Sequence, residues 1–177
     1  MKKVEHGKTF DRNAANPPAF EIFHNTVTEG YPKHWHTAIE IIMPTRGEYE
    51  VVVGKDSYNL KEGDIIMINS GVVHGMRFVS QGERIVMLVE PGCVENQEEM
   101  ETIFLRLPAI YFKKEDEEDP FYLFLRSQIL ELVREYDNEG AVMTHRICTG
   151  LKELFSEFGR KGFSDANAQN TFGAMKQ

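Results

Sequence analysis

The stretch HWHTAIEIIMPTRG, residues 34–47, sets two histidines and a glutamate at even positions in a run that reads as β-strand. Side chains alternate across a strand, so His34, His36, Ala38 and Glu40 are expected to share one face. A third imidazole follows in GDIIMINSGVVH, residues 63–74, where His74 comes after the apolar run Asp64 to Asn69 and a tight Ser70-Gly71 turn. Three imidazoles and one carboxylate make a suitable ligand set for a divalent transition metal such as Fe, Mn, Ni or Zn, with the carboxylate supplying compensating charge. A metal-free alternative stands beside it. The same groups can line a polar ligand cavity, the imidazoles donating to a ligand hydroxyl and Glu40 pairing with a protonated histidine.

On either side of these motifs the text stays strand-like from about Phe20 to Pro91. Breaks fall at Pro44 to Gly47, Gly54-Lys55-Asp56, Lys61-Glu62-Gly63 and Pro91-Gly92. Short strands with turn signals every eight to twelve residues indicate a sandwich or barrel, and no helical pattern intervenes to suggest a parallel α/β sheet. After Pro91 the period changes. Residues 96–107 suit a short helix. Phe121, Leu125, Ile129, Leu132, Val133 and Tyr136 then recur at helical spacing behind Pro120, a residue tolerated in a first helical turn. Asn138-Glu139-Gly140 is a stop, and Met143, Ile147, Leu151, Leu154, Phe155 and Phe158 form a second stripe. The expected organisation is an arm (1–18), a β-domain (19–95), a helical segment with an αα-hairpin (96–162) and a linker or tail (163–177).

Composition narrows the function class. The chain has 177 residues and a formal net charge of −8, so it lacks the cationic footprint that phosphate neutralisation demands. The acidic run Glu115 to Asp119 reads as a solvated loop. Cys93 and Cys148 are the two cysteines, too few for a disulfide framework and without CxxC spacing. They are read as buried or half-buried thiols, which makes the cytoplasm the default location. No apolar run is long enough for a membrane span, and the opening residues lack the apolar core of a signal peptide. Trp35, on the strand face opposite His34, is expected in core or interface packing. His6, His24 and His145 have no clustered partners.

The two histidine motifs resemble those of the cupin superfamily. His34, His36, Glu40 and Gly47 match the first cupin motif, and Gly63, Asp64 and His74 match the second. The resemblance implies a cupin (jelly-roll-like) β-barrel followed by an αα-hairpin, with His34, His36, Glu40 and His74 at the positions that bind metal in many cupins. There are departures: Gly30 stands too near the first histidine, Asn69 replaces the proline of the second motif, and Phe78 replaces its closing asparagine. Those substitutions, in IMINSGVVH, together with the trailing helices, are similar to the amino-terminal effector domains of AraC-type transcriptional regulators. That likeness implies a small molecule, a sugar or related metabolite, bound in the barrel. The ligand-contacting residues would be His34, His36, Glu40 and His74, with Tyr49 and Met67 on the pocket wall. It also implies homodimerisation through the carboxyl-terminal helices and DNA contact only through a segment beyond Gln177. A stand-alone metal-dependent cupin enzyme, a dioxygenase, isomerase or decarboxylase, is the competing expectation. A structural or storage role is disfavoured because a barrel lined with imidazoles costs stability unless they find partners.

Overall fold

A computed structural model describes residues 19–26, 30–93, 108–116, 118–138 and 140–161. Among these residues, nine strands form two antiparallel sheets. β1 (Phe20–Asn25), β8 (Glu83–Val89), β3 (Ile39–Arg46), β6 (Ile65–Ile68) and β9 (Ala109–Phe112) make a five-stranded sheet in the order β1-β8-β3-β6-β9. The four-stranded sheet runs β2 (Tyr31–His34), β7 (His74–Phe78), β4 (Tyr49–Val53) and β5 (Asp56–Leu60). Two helices follow, α1 (Pro120–Asp137) and α2 (Met143–Lys161). The fold is therefore a mainly β, cupin-type barrel with a helical hairpin, as the motifs imply. No helix among the described residues is long and apolar enough to cross a membrane.

Strand alternation sorts the five-stranded sheet into two cores. Ile39, Ile41, Met43, Ile65, Met67, Ile85 and Met87 point outward and pack with Leu125, Ile129, Ile147, Leu151 and Phe155 of the hairpin. Ile42, Ile66 and Ile68 point inward and meet Tyr49, Val51, Val53, Tyr58, Leu60 and Met76 of the other sheet. Because both faces are covered, β3, β6 and β8 read as almost continuous apolar runs and not as strict alternation. The hairpin thus buries its stripe against its own barrel. Asp119 caps α1 by accepting from the Phe121 N–H at 2.8 Å, and Pro120 takes the first helical position, as its spacing predicts. Glu115 and Glu118 of the acidic run are exposed.

Several expectations change. The strand expected from His34 to Met43 is two strands in different sheets, joined by a corner at residues 35–38. The segment expected to be helical contains β9, which pairs with β6 in the register Met67↔Ile110 and extends the sheet beyond residue 95. The proposed helix at 96–107, the arm 1–18 and the tail 163–177 lie outside the described residues. Trp35 is 56% exposed, because the corner turns its side chain away from both cores.

The turns of the second motif are built by hydrogen bonds. Gly63 adopts φ +87, a conformation glycine enters without the Cβ penalty, and its N–H donates to the Pro44 carbonyl at 2.8 Å. Tyr122 Oη of α1 donates to the Gly63 carbonyl at 2.8 Å. Buried Asp64 accepts from the Lys61 N–H at 2.9 Å, from Tyr111 Oη at 2.7 Å and from the Lys114 N–H at 2.8 Å. Gly63 and Asp64 therefore fasten the barrel floor to β9 and the hairpin. Asn69 explains its own departure from the motif: its N–H donates to the Pro108 carbonyl at 3.0 Å, a bond proline cannot make.

Candidate functional site

The corner at residues 35–38 lets one short segment serve both sheets. His34 ends β2 and lies directly across from His74 on β7 in the four-stranded sheet. Glu40 sits on β3 of the five-stranded sheet, opposite Ile68 and Leu88, and faces the barrel interior. His36 stands on the corner between them. The four groups converge because the chain changes sheets; they do not share one strand face. The Gly71 N–H donates to the His36 carbonyl at 2.8 Å, which ties the turn leading to His74 to that corner.

His36, Glu40 and His74 are buried and His34 is half-buried, with one ligand-type atom from each lying within 4.8 Å of the others. The three rings meet at centroid separations of 4.5 to 5.5 Å. Each Nδ1 faces a carbonyl two residues away: His34 to Pro32 at 2.9 Å, His36 to Ala38 at 2.9 Å and His74 to Val72 at 2.8 Å. A carbonyl only accepts, so each Nδ1 carries the hydrogen and each ring is fixed in orientation. The Nε2 atoms of His36 and His74 then lie 3.0 and 2.8 Å from the same Glu40 oxygen, Oε2.

That arrangement demands positive charge. With Nδ1–H committed, a neutral ring presents an Nε2 lone pair to a carboxylate oxygen, which is repulsive. Either Nε2 binds a proton and the ring becomes cationic, or a metal ion sits among the nitrogens and the carboxylate. Burial alone would push the Glu40 carboxyl up, but the hydrogen bonds from His36 and His74 override it and hold the group down at about 2. Burial lowers His34, against a raising hydrogen bond to Pro32, so the half-open ring favours its neutral, ligating form. Carbonyl-oriented imidazoles facing a charged carboxylate fit a divalent transition metal.

Tyr49 and Met67, the two wall residues expected from sequence, do not join this cluster. Met67 lies in the layer between the five-stranded sheet and the hairpin, on the face away from the imidazoles. Tyr49 is fully buried in the inter-sheet core, at the opposite end of β4 from Val53, the residue paired with His74. Sequence reasoning missed Arg84, a wholly buried cation inside the barrel whose guanidinium carbon lies 4.8 Å from the Tyr49 ring centroid and 5.5 Å from that of Tyr31. Its strand context, ERIVMLV, gave no sign that it faces inward. Tyr31, whose ring centroid lies 6.5 Å from that of His34, and Trp35 and Val73, chain neighbours of cluster histidines, are exposed apolar residues. A surface groove of about 510 Å³ beside β2 and β7, lined among others by Lys33, Val52, Gly75 and Arg77, includes none of the four cluster residues.

Residues 25–90, which include all four cluster residues, match the Cupin_2 family, described as a cupin domain. No curated protein matches the chain in sequence. Among solved structures, apo ToxT from Vibrio cholerae strain SCE256 superposes with a TM-score of 0.54 at 11% identity, covering 82% of this chain and 58% of that one. A variant of Bacillus subtilis oxalate decarboxylase OxdC (TM-score 0.38, 18% identity) covers 41% of this chain and 21% of its own. A cupin-2 domain protein from Shewanella frigidimarina (TM-score 0.38, 16% identity) covers 43% and 76%. The chain thus spans somewhat over half the length of ToxT and about a fifth of the decarboxylase.

Proposed function

We propose that the chain is the small-molecule-sensing portion of an AraC-type transcriptional regulator, with His34, His36, Glu40 and His74 holding a divalent transition metal at the base of the effector site. One observation carries the reading: the barrel and its hairpin together, and not the barrel alone, resemble ToxT, an AraC-type regulator, across 82% of the chain. A bound divalent ion would supply a Lewis-acid centre able to polarise an oxygen of the effector. The protein's own contribution is to orient the imidazoles through Pro32, Ala38 and Val72 and to admit the effector past Trp35 and Val73.

The fold offers a route outward. β3 carries Glu40 into the barrel while its neighbours Ile39 and Ile41 pack on the hairpin. An effector with different affinity for two positions of β3 would bias the seating of α1 and α2, and it can shift that balance only by the difference. Pairing of two copies through the hairpin is the accompanying proposal, and the exposed apolar side chains of Leu123 on α1 and Val142 before α2 support it.

The test combines metal analysis with ligand screening. Protein purified without chelator is assayed for Mn, Fe, Ni and Zn, and then screened by thermal shift against sugars and related metabolites. Saturable stabilisation without turnover supports the sensor. The second reading, a metal-dependent cupin enzyme, is favoured by the donor set itself, since four protein ligands leave room for substrate on an octahedral metal. Turnover of a stabilising compound by the metal-loaded protein would establish the enzyme and displace the sensor.

A further inference from the structure

The chain has two cysteines, and the fold brings them together although 55 residues separate them. Cys93 ends the 3-10 turn Pro91–Cys93 that follows β8, and Cys148 lies on α2. Their sulfurs are 3.2 Å apart, the two thiols sharing a hydrogen bond. Cys93 is buried and Cys148 half-buried, both against the core that joins the barrel to the hairpin. Closing the remaining gap to a bond of about 2.05 Å needs a movement of roughly 1 Å.

We propose that Cys93 and Cys148 form a thiol–disulfide exchange site that takes a low-molecular-weight disulfide as co-reactant and reversibly locks α2 to the end of β8. The half-exposed Cys148 meets the outside disulfide first. Its thiolate attacks one sulfur, the external S–S bond breaks, and one small thiol leaves. Cys93 then attacks the Cys148 sulfur of the mixed disulfide and expels the second small thiol. Two protein thiols are oxidised, one external disulfide is reduced, and the two protein protons end on the released thiols. Burial, with the Cys148 hydrogen bond adding to it, pushes the Cys93 thiol up to about 12, so Cys93 is the resolving and not the entering sulfur.

The lock lies where the proposed signal would pass. β8 pairs with β3 in the register Leu88↔Glu40, and Cys148 lies one residue from Ile147 in the hairpin core. Thiol state would therefore set how freely the hairpin shifts on the sheet. The chemistry itself does not depend on the sensor reading.

The test exposes the full chain to glutathione disulfide, quenches with an alkylating agent and measures intact mass and non-reducing peptide maps. The expected product loses both alkylation sites together and yields a Cys93–Cys148 linked peptide. Its melting temperature should exceed that of the reduced chain by roughly 5–10 °C. In Cys93→Ser the reaction should stop at a glutathione adduct on Cys148, and in Cys148→Ser the buried Cys93 should react at least about tenfold more slowly. A wild-type product that stays a mixed disulfide, or that links two chains, overturns the proposal. So does Cys93 reacting equally fast without Cys148. Because wild-type protein gives the decisive readout, a variant that misfolds does not shield the proposal.

Discussion

Glu40 Oε2 and His74 Nε2 lie 2.8 Å apart although β3 and β7 belong to different sheets. The contact crosses the barrel interior, and the 3.0 Å approach of His36 Nε2 to the same oxygen closes it into a cluster. One carboxylate oxygen between two fixed imidazoles is an arrangement that only a cation, proton or metal, makes favourable.

Replacing that carboxylate should show which cation matters. Glu40→Gln keeps the shape and removes the charge. Loss of an outer partner of a metal ligand already costs roughly 10–100-fold in affinity, so loss of this ligand should weaken Zn or Ni binding by more than about 100-fold. Isothermal titration of metal-free protein measures it. Unchanged affinity would remove Glu40 from the ligand set.

Acid should act through the same residue. The Glu40 carboxyl is held at about 2 against an ordinary value of 4.5, so its folded value lies below its unfolded one. Such a group contributes stability above pH 4.5 that fades as pH falls toward 2. For metal-free protein the loss should be on the order of 3 kcal/mol, read from urea unfolding at a series of pH values. Glu40→Gln should flatten that dependence.

The motif departure at Asn69 can be reversed. Asn69→Pro removes the N–H that bonds the Pro108 carbonyl and the side-chain oxygen that accepts from the Ser70 N–H at 2.8 Å. The variant should lose about 1–3 kcal/mol in all, since two hydrogen bonds worth about 0.5–1.5 kcal/mol each disappear. Chemical denaturation gives the value.

The hairpin should matter to stability more than to the metal cluster. Leu151 is fully buried between the helices and the sheet. Leu151→Ala should cost about 2–5 kcal/mol through lost burial and a cavity, with metal stoichiometry unchanged in the folded fraction. Parallel unfolding and metal-content measurements test both halves.

Much of this was legible in the sequence where spacing encodes geometry. His34, His36 and Glu40 stand out by their even spacing in one strand-like run, and His74 joins them through the second of the two motifs. The hairpin stripes were clear because helices of 18 and 19 residues carry several turns of signal. The sheet change at 35–38 was hidden because alternation looks the same through a corner as along a strand. β9 has only four residues, too few to show a period, and its place is fixed by pairing with β6 and by Tyr111 bonding Asp64. The facing of Met67 is not legible, because a strand buried on both faces has no polar side to orient it. Arg84 gives no signal of its burial, because a cation near a strand start ordinarily reads as solvated.

The corner that turns Trp35 outward also equips the molecule with its own optical gauge. This is the only indole in the chain, it stands between two of the histidines, and it is 56% exposed. Its fluorescence should be quenched by paramagnetic Ni or Cu entering the cluster and left bright by Zn, with no dye attached. Occupancy of the centre can thus be followed in dilute solution, one titration per metal, from the light of a single residue.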